Sequence, residues 1–68
     1  MNEKIELVSG DTLRVFRKGD LIVDMKCVAP KMERVEMTFQ NVTSVSSNVD
    51  ESFNSHYIVR LGQETRSL

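Results

Sequence analysis

Sixty-eight residues carrying a formal net charge of −1 lie near the lower size at which one hydrophobic core outweighs chain entropy. Hydrophobic residues at 40% and charged residues at 28% exclude a disordered chain, and the near-neutral balance excludes the bulk attraction that drives general binding to nucleic acid or anionic membranes. The single cysteine, Cys27, excludes an internal disulfide and any Cys-x-x-Cys motif.

The first residues, MNEKIELVSGD, have no basic region leading into an apolar stretch, and no window approaches the roughly 18 apolar residues of a membrane span. A cytoplasmic protein without membrane association is the expectation. Ile5 and Leu7 alternate with Glu6, and Ser9-Gly10-Asp11 breaks the chain. Leu13 and Val15 alternate with Thr12 and Arg14 up to Lys18-Gly19-Asp20. Leu21, Val23, Met25 and Cys27 make the longest alternating series, closed by Ala29-Pro30. Val35, Met37 and Phe39 form a half-buried strand pattern, and Tyr57, Val59 and Leu61 repeat it before Gly62. The prediction is one small all-β domain over 1–68, a barrel or roll of about five antiparallel strands, with 42–46 as an extension or a sixth short strand. A single helical turn near Asp50-Glu51-Ser52-Phe53 and the tail 63–68 are the only helical candidates.

A three-residue loop at Lys18-Gly19-Asp20 sets Arg17 against Leu21, Val15 against Val23 and Leu13 against Met25, so the apolar residues share a face and Arg14 meets Asp24. A two-residue loop throws those faces out of step, so the three-residue register is expected. In that register Phe16 and Ile22 face each other on the outer side, flanked by Arg14, Asp24 and Lys26. An outward Phe and Ile on so small a domain need a cover, from the same chain or from another.

Residues 44–57, SVSSNVDESFNSHY, show no apolar period and read as one long connection. Val49 and Phe53 within it are four apart, so one helical turn either pins the loop to the core or leaves Phe53 exposed as an interface anchor. Catalytic chemistry has little to stand on. Cys27 falls on the inward face of its strand, where a thiol acts as a small hydrophobe, and His56 sits at the end of the loop. The carboxylates Asp11, Asp20, Asp24, Asp50 and Glu51 read as solvated turn or surface charges. Asp50 and Glu51 with His56 lack the spacing of a metal site.

"SGDTLRV" followed by "VAPKMERVEM" resembles the carbon-storage-regulator family, small dimeric RNA-binding β-proteins, over less than half of the chain. The final "HYIVRLGQETRSL" is similar to closing segments of small phage tail and baseplate domains, which implies a phage or mobile-element origin.

The functional expectation is a non-catalytic protein-interaction module without cofactor, metal or small-molecule substrate. It acts as an accessory or inhibitor protein and binds a protein partner or its own copy as a homo-oligomer. The partner-binding candidates are Arg14, Phe16, Ile22, Lys26 and Phe53. The alternative is a regulator that binds RNA or single-stranded DNA through the basic and aromatic hairpin 12–27.

Overall fold

Six strands form in a computed structural model that describes residues 2–28 and 34–62. These are β1 (Glu3–Val8), β2 (Thr12–Arg17), β3 (Asp20–Lys26), β4 (Arg34–Phe39), β5 (Val42–Val49) and β6 (Ser55–Leu61). β1 pairs with β4 in a two-stranded ribbon, and the other four form a sheet in the order β3-β2-β6-β5. The core is built from Ile5 and Leu7 of the ribbon, Leu13, Val15, Val42 and Val59 of the sheet, and Cys27 just beyond β3. Val23, Met25, Val35, Met37, Phe39, Tyr57 and Leu61 pack partly buried around it. The ribbon therefore supplies the apolar cover for the inner face of the sheet.

This all-β architecture departs from the expected five antiparallel strands closed into a barrel or roll. Among the described residues there are six strands in two sheets that do not close into a barrel, and β2 pairs with β6 in parallel. Period-two alternation marks a strand and its buried face but carries no information on the direction of its neighbour.

The chain changes sheet at Ser9–Asp11, between β1 and β2. Asp11 N–H donates to the Val8 carbonyl at 3.0 Å, while Gly10 N–H donates to the Cys27 carbonyl at 2.8 Å. Gly10 has φ +98°, which calls for glycine, and a Cβ there would lie 2.2 Å from the Asn54 side-chain nitrogen, so any other residue would also displace that amide.

The β2–β3 hairpin has the expected pairs Leu13–Met25, Arg14–Asp24 and Val15–Val23, but reaches them by another route. The loop is the two-residue turn Lys18-Gly19, with φ 52° and 80°, the positive values of a type I′ turn. Arg17 therefore opposes Asp20 and Phe16 opposes Leu21. A β-bulge then absorbs one extra residue, Ile22, and restores the apolar faces to phase.

The predicted connection 44–57 is instead most of a second hairpin. β5 continues to Val49, β6 starts at Ser55, and the turn between them contains no helix. Phe53 N–H donates to the Asp50 carbonyl at 3.1 Å and Asp50 N–H to the Asn54 carbonyl at 3.0 Å. With Phe53 at φ 64°, this is a type I turn closed by a left-handed residue. Neither Val49 nor Phe53 pins it to the core, since both are exposed. The candidate tail helix 63–68 lies outside the described residues.

Candidate binding face

The strand registers determine which side chains share the outer face of the four-stranded sheet. Leu13 and Val15 of β2 point inward, so Thr12, Arg14 and Phe16 point outward. The parallel register places His56, Ile58 and Arg60 of β6 beside them, and the antiparallel registers add Asp24 and Lys26 from β3 and Ser44, Ser46 and Asn48 from β5. Four of the five predicted partner-binding residues, Arg14, Phe16, Ile22 and Lys26, thus lie along one hairpin. Phe53 does not join them, because it stands 88% exposed in the β5–β6 turn.

At the Phe16 end the face is aliphatic. Leu21 and Ile22 are 49% and 48% exposed, because the bulge sets two consecutive β3 residues against Phe16. The Phe16 ring is half-buried, and the Arg60 guanidinium lies over it, 5.1 Å from the ring centroid. The cover that Phe16 needs therefore comes partly from the neighbouring strand. Arg60 escapes the sequence reading because its adjacency to Phe16 depends on the parallel β2–β6 pairing.

At the other end the face forms an open groove of about 670 Å³, whose lining includes Arg14, Asp24, Lys26, Asn48, His56 and Ile58. Arg14 Nε meets Asp24 Oδ1 at 3.6 Å across the hairpin, as the charge pattern predicts. Arg14, Lys26 and Arg60 set against Asp24 make the face locally positive on a chain of net charge −1. Glu3, Glu6 and Glu36 lie on the ribbon instead, where Arg34 bridges Glu6 and Glu36 and Lys4 reaches Glu36 at 3.5 Å.

A chain of hydrogen bonds crosses one wall of the groove. His56 Nε2–H donates to Asp50 Oδ2 at 2.8 Å, and His56 Nδ1 bonds the Thr12 hydroxyl at 2.7 Å. Asp50 Oδ1 also accepts the N–H groups of Ser52 at 2.8 Å and Asn54 at 3.1 Å. The His56 bond first, with the Asn54 and Ser52 N–H groups, holds the Asp50 carboxyl below its ordinary range. Hydroxyl, imidazole and carboxylate are thus joined in this order by two hydrogen bonds. Their placement ties the β5–β6 turn to β2.

The alternative pairing of His56 with Cys27 does not form. Both ring nitrogens are engaged elsewhere and Cys27 is fully buried. Among the described residues no group of three or more His, Cys, Asp and Glu is placed to hold a metal ion. Asp11 corrects the surface reading of the carboxylates, being 4% exposed at the junction of β1, β2 and β6. No family model, curated protein or solved structure matches this chain.

Proposed function

We propose that the protein is a non-catalytic interaction module whose outer sheet face docks a protein partner, in the manner of a small accessory or inhibitor protein. The observation that carries this reading is the grouping of exposed Leu21 and Ile22 with half-buried Phe16 and Ile58, bordered by Arg14, Lys26 and Arg60. An apolar patch with a cationic rim suits a partner that presents an apolar side chain flanked by carboxylates. The resemblance of the closing segment to phage tail and baseplate domains fits an accessory role in a phage or mobile element. Affinity capture from host lysate tests the reading: a protein held by the wild type is released by Ile22→Asp and weakened by Arg14→Glu. Capture that both substitutions leave unchanged rejects the face.

A second reading, binding of single-stranded RNA or DNA, is favoured by the excess of cations over carboxylates on this face. It requires binding that weakens steeply with salt and disappears in Arg14→Glu. No binding to unstructured oligonucleotides at low salt rejects it.

A further inference from the structure

Three of the four strands at sheet edges carry charges that discourage pairing with another chain. β1 carries Glu3, Lys4 and Glu6, and β4 carries Arg34 and Glu36. β3 carries Asp20, Asp24 and Lys26 together with the bulge. β5 has none of these protections. Val42–Val49, VTSVSSNV, contains no charged residue and no proline, and every residue after Val42 is exposed.

The hydrogen bonds of the β5–β6 hairpin show which β5 backbone groups face outward. Asp50 N–H points to β6, where it bonds the Asn54 carbonyl. In an antiparallel ladder the direction alternates, so Ser44, Ser46 and Asn48 also turn their N–H and C=O groups to β6, while Val45, Ser47 and Val49 turn theirs to the open edge. Gly62 N–H bonding the Asn41 carbonyl at 2.7 Å agrees with this parity from the other end of β6. Among the described residues no strand lies beyond β5.

The outward-facing segment is nearly palindromic. Val45-Ser46-Ser47-Asn48-Val49 reads almost alike in both directions about Ser47. We propose that two copies of this chain join through their β5 edges, antiparallel and centred on Ser47, to make a continuous eight-stranded sheet. In this register the two Ser47 residues exchange backbone hydrogen bonds across the two-fold axis, and Val45 of each copy does the same with Val49 of the other. Val45 lies on the same face as buried Val59, yet Val45 and Val49 remain 38% and 61% exposed in the single chain, and the pairing places each beside an apolar neighbour. Ser46 meets Asn48 on the opposite face. A second copy fits this edge because a neutral strand meets itself without repulsion and its valines coincide only when the partner has the same spacing. The contact is isologous, so it closes as a dimer rather than growing into a filament. It is independent of the outer-face reading and leaves Phe16 and Ile22 free, with both copies of that face on one side of the joined sheet.

Solution mass measured over roughly a hundredfold concentration range is expected to rise from one chain to two. Ser47→Pro removes only an outward N–H, so it abolishes the rise while the circular dichroism stays unchanged, whereas Ser46→Pro breaks a bond to β6 and unfolds the hairpin. Should Ser47→Pro itself unfold, cross-linking decides. Ser47→Cys brings two thiols together at the axis, within disulfide reach, and oxidises to a covalent dimer far faster than Ser46→Cys. Val45→Lys with Val49→Lys separates the copies, and Val45→Lys with Val49→Glu restores them. A mass of one chain throughout, a dimer that survives Ser47→Pro with its fold intact, or equal cross-linking of the two cysteine variants overturns the proposal.

Discussion

The carboxylate of Asp11, in the connection between β1 and β2, accepts the backbone N–H of Ser55, 44 residues later, at 2.8 Å. Its other oxygen accepts the Val8 N–H at 3.0 Å, and its own carbonyl accepts the Cys27 N–H at 2.9 Å. One buried residue thus ties the end of β1, the end of β3 and the start of β6. Asp11→Ala leaves two donors without their acceptor and is expected to cost about 3 kcal/mol in urea unfolding. A cost under about 0.5 kcal/mol would show that water replaces the carboxylate freely and that the junction is not structural.

The acid limb of stability should depend on Asp50. Its carboxyl is held low by His56, Asn54 and Ser52, so its folded pKa lies below the unfolded value of about 3.9. A depressed carboxylate stabilises the fold above the unfolded pKa, and that contribution disappears as pH falls through the folded one. The contribution is full only well above the unfolded pKa, and its loss starts as the pH nears about 5 and continues to below the folded pKa. In Asp50→Asn, thermal melts from neutral pH to about pH 2 should show a shallower decline below about pH 5 than the wild type. Parallel acid limbs would refute the assignment.

The inward faces of β2, β3, β4 and β6 are legible in the sequence because each buries one side against the ribbon or the sheet, and burial imposes a period of two. β5 is legible only over 42–46, expected as an extension or sixth short strand, and its second half reads as part of the connection. An edge strand with seven exposed residues has no face to bury, so its Ser and Asn content reads as a loop although β6 supplies its backbone partners. The hairpin pairs Arg14–Asp24 and Val15–Val23 follow from pattern and charge, whereas the bulge is hidden because a three-residue loop and a two-residue loop plus bulge give identical pairs beyond it. Arg14, Phe16 and Lys26 are placed on one face by alternation alone. Arg60 and His56 require the parallel β2–β6 pairing, for which the sequence carries no local signal.

Phe53 occupies a position that favours glycine. Its φ of 64° is left-handed, and its side chain is 88% exposed, so little packing offsets the strain. Phe53→Gly removes the Cβ conflict and gives back part of the gain as unfolded-chain entropy, leaving a net stabilisation of up to about 1 kcal/mol. Chemical denaturation measures it. If the same substitution also weakens partner capture, Phe53 is a second anchor away from the outer face; a loss of stability would instead reveal packing that the exposed ring does not show.

Ile22 offers the sharpest test of the hairpin. Leu21 already opposes Phe16 and Val23 already opposes Val15, so removing Ile22 joins two correct registers across a two-residue turn that needs no change. The inward residues Val23 and Met25 keep their face, and Arg14 keeps Asp24. Deletion of Ile22 should therefore fold, with a melting temperature within about 5 °C of the wild type, equivalent to no more than about 1 kcal/mol in a domain of this size. Deletion of Asp24 shifts Met25 off phase with Val23 and should unfold the protein. The Ile22 deletion also removes an exposed aliphatic side chain from the proposed docking face, so it should separate the two properties, keeping the fold while losing the partner. Unfolding by this deletion would mean that the bulge itself, rather than the register it restores, stabilises the hairpin.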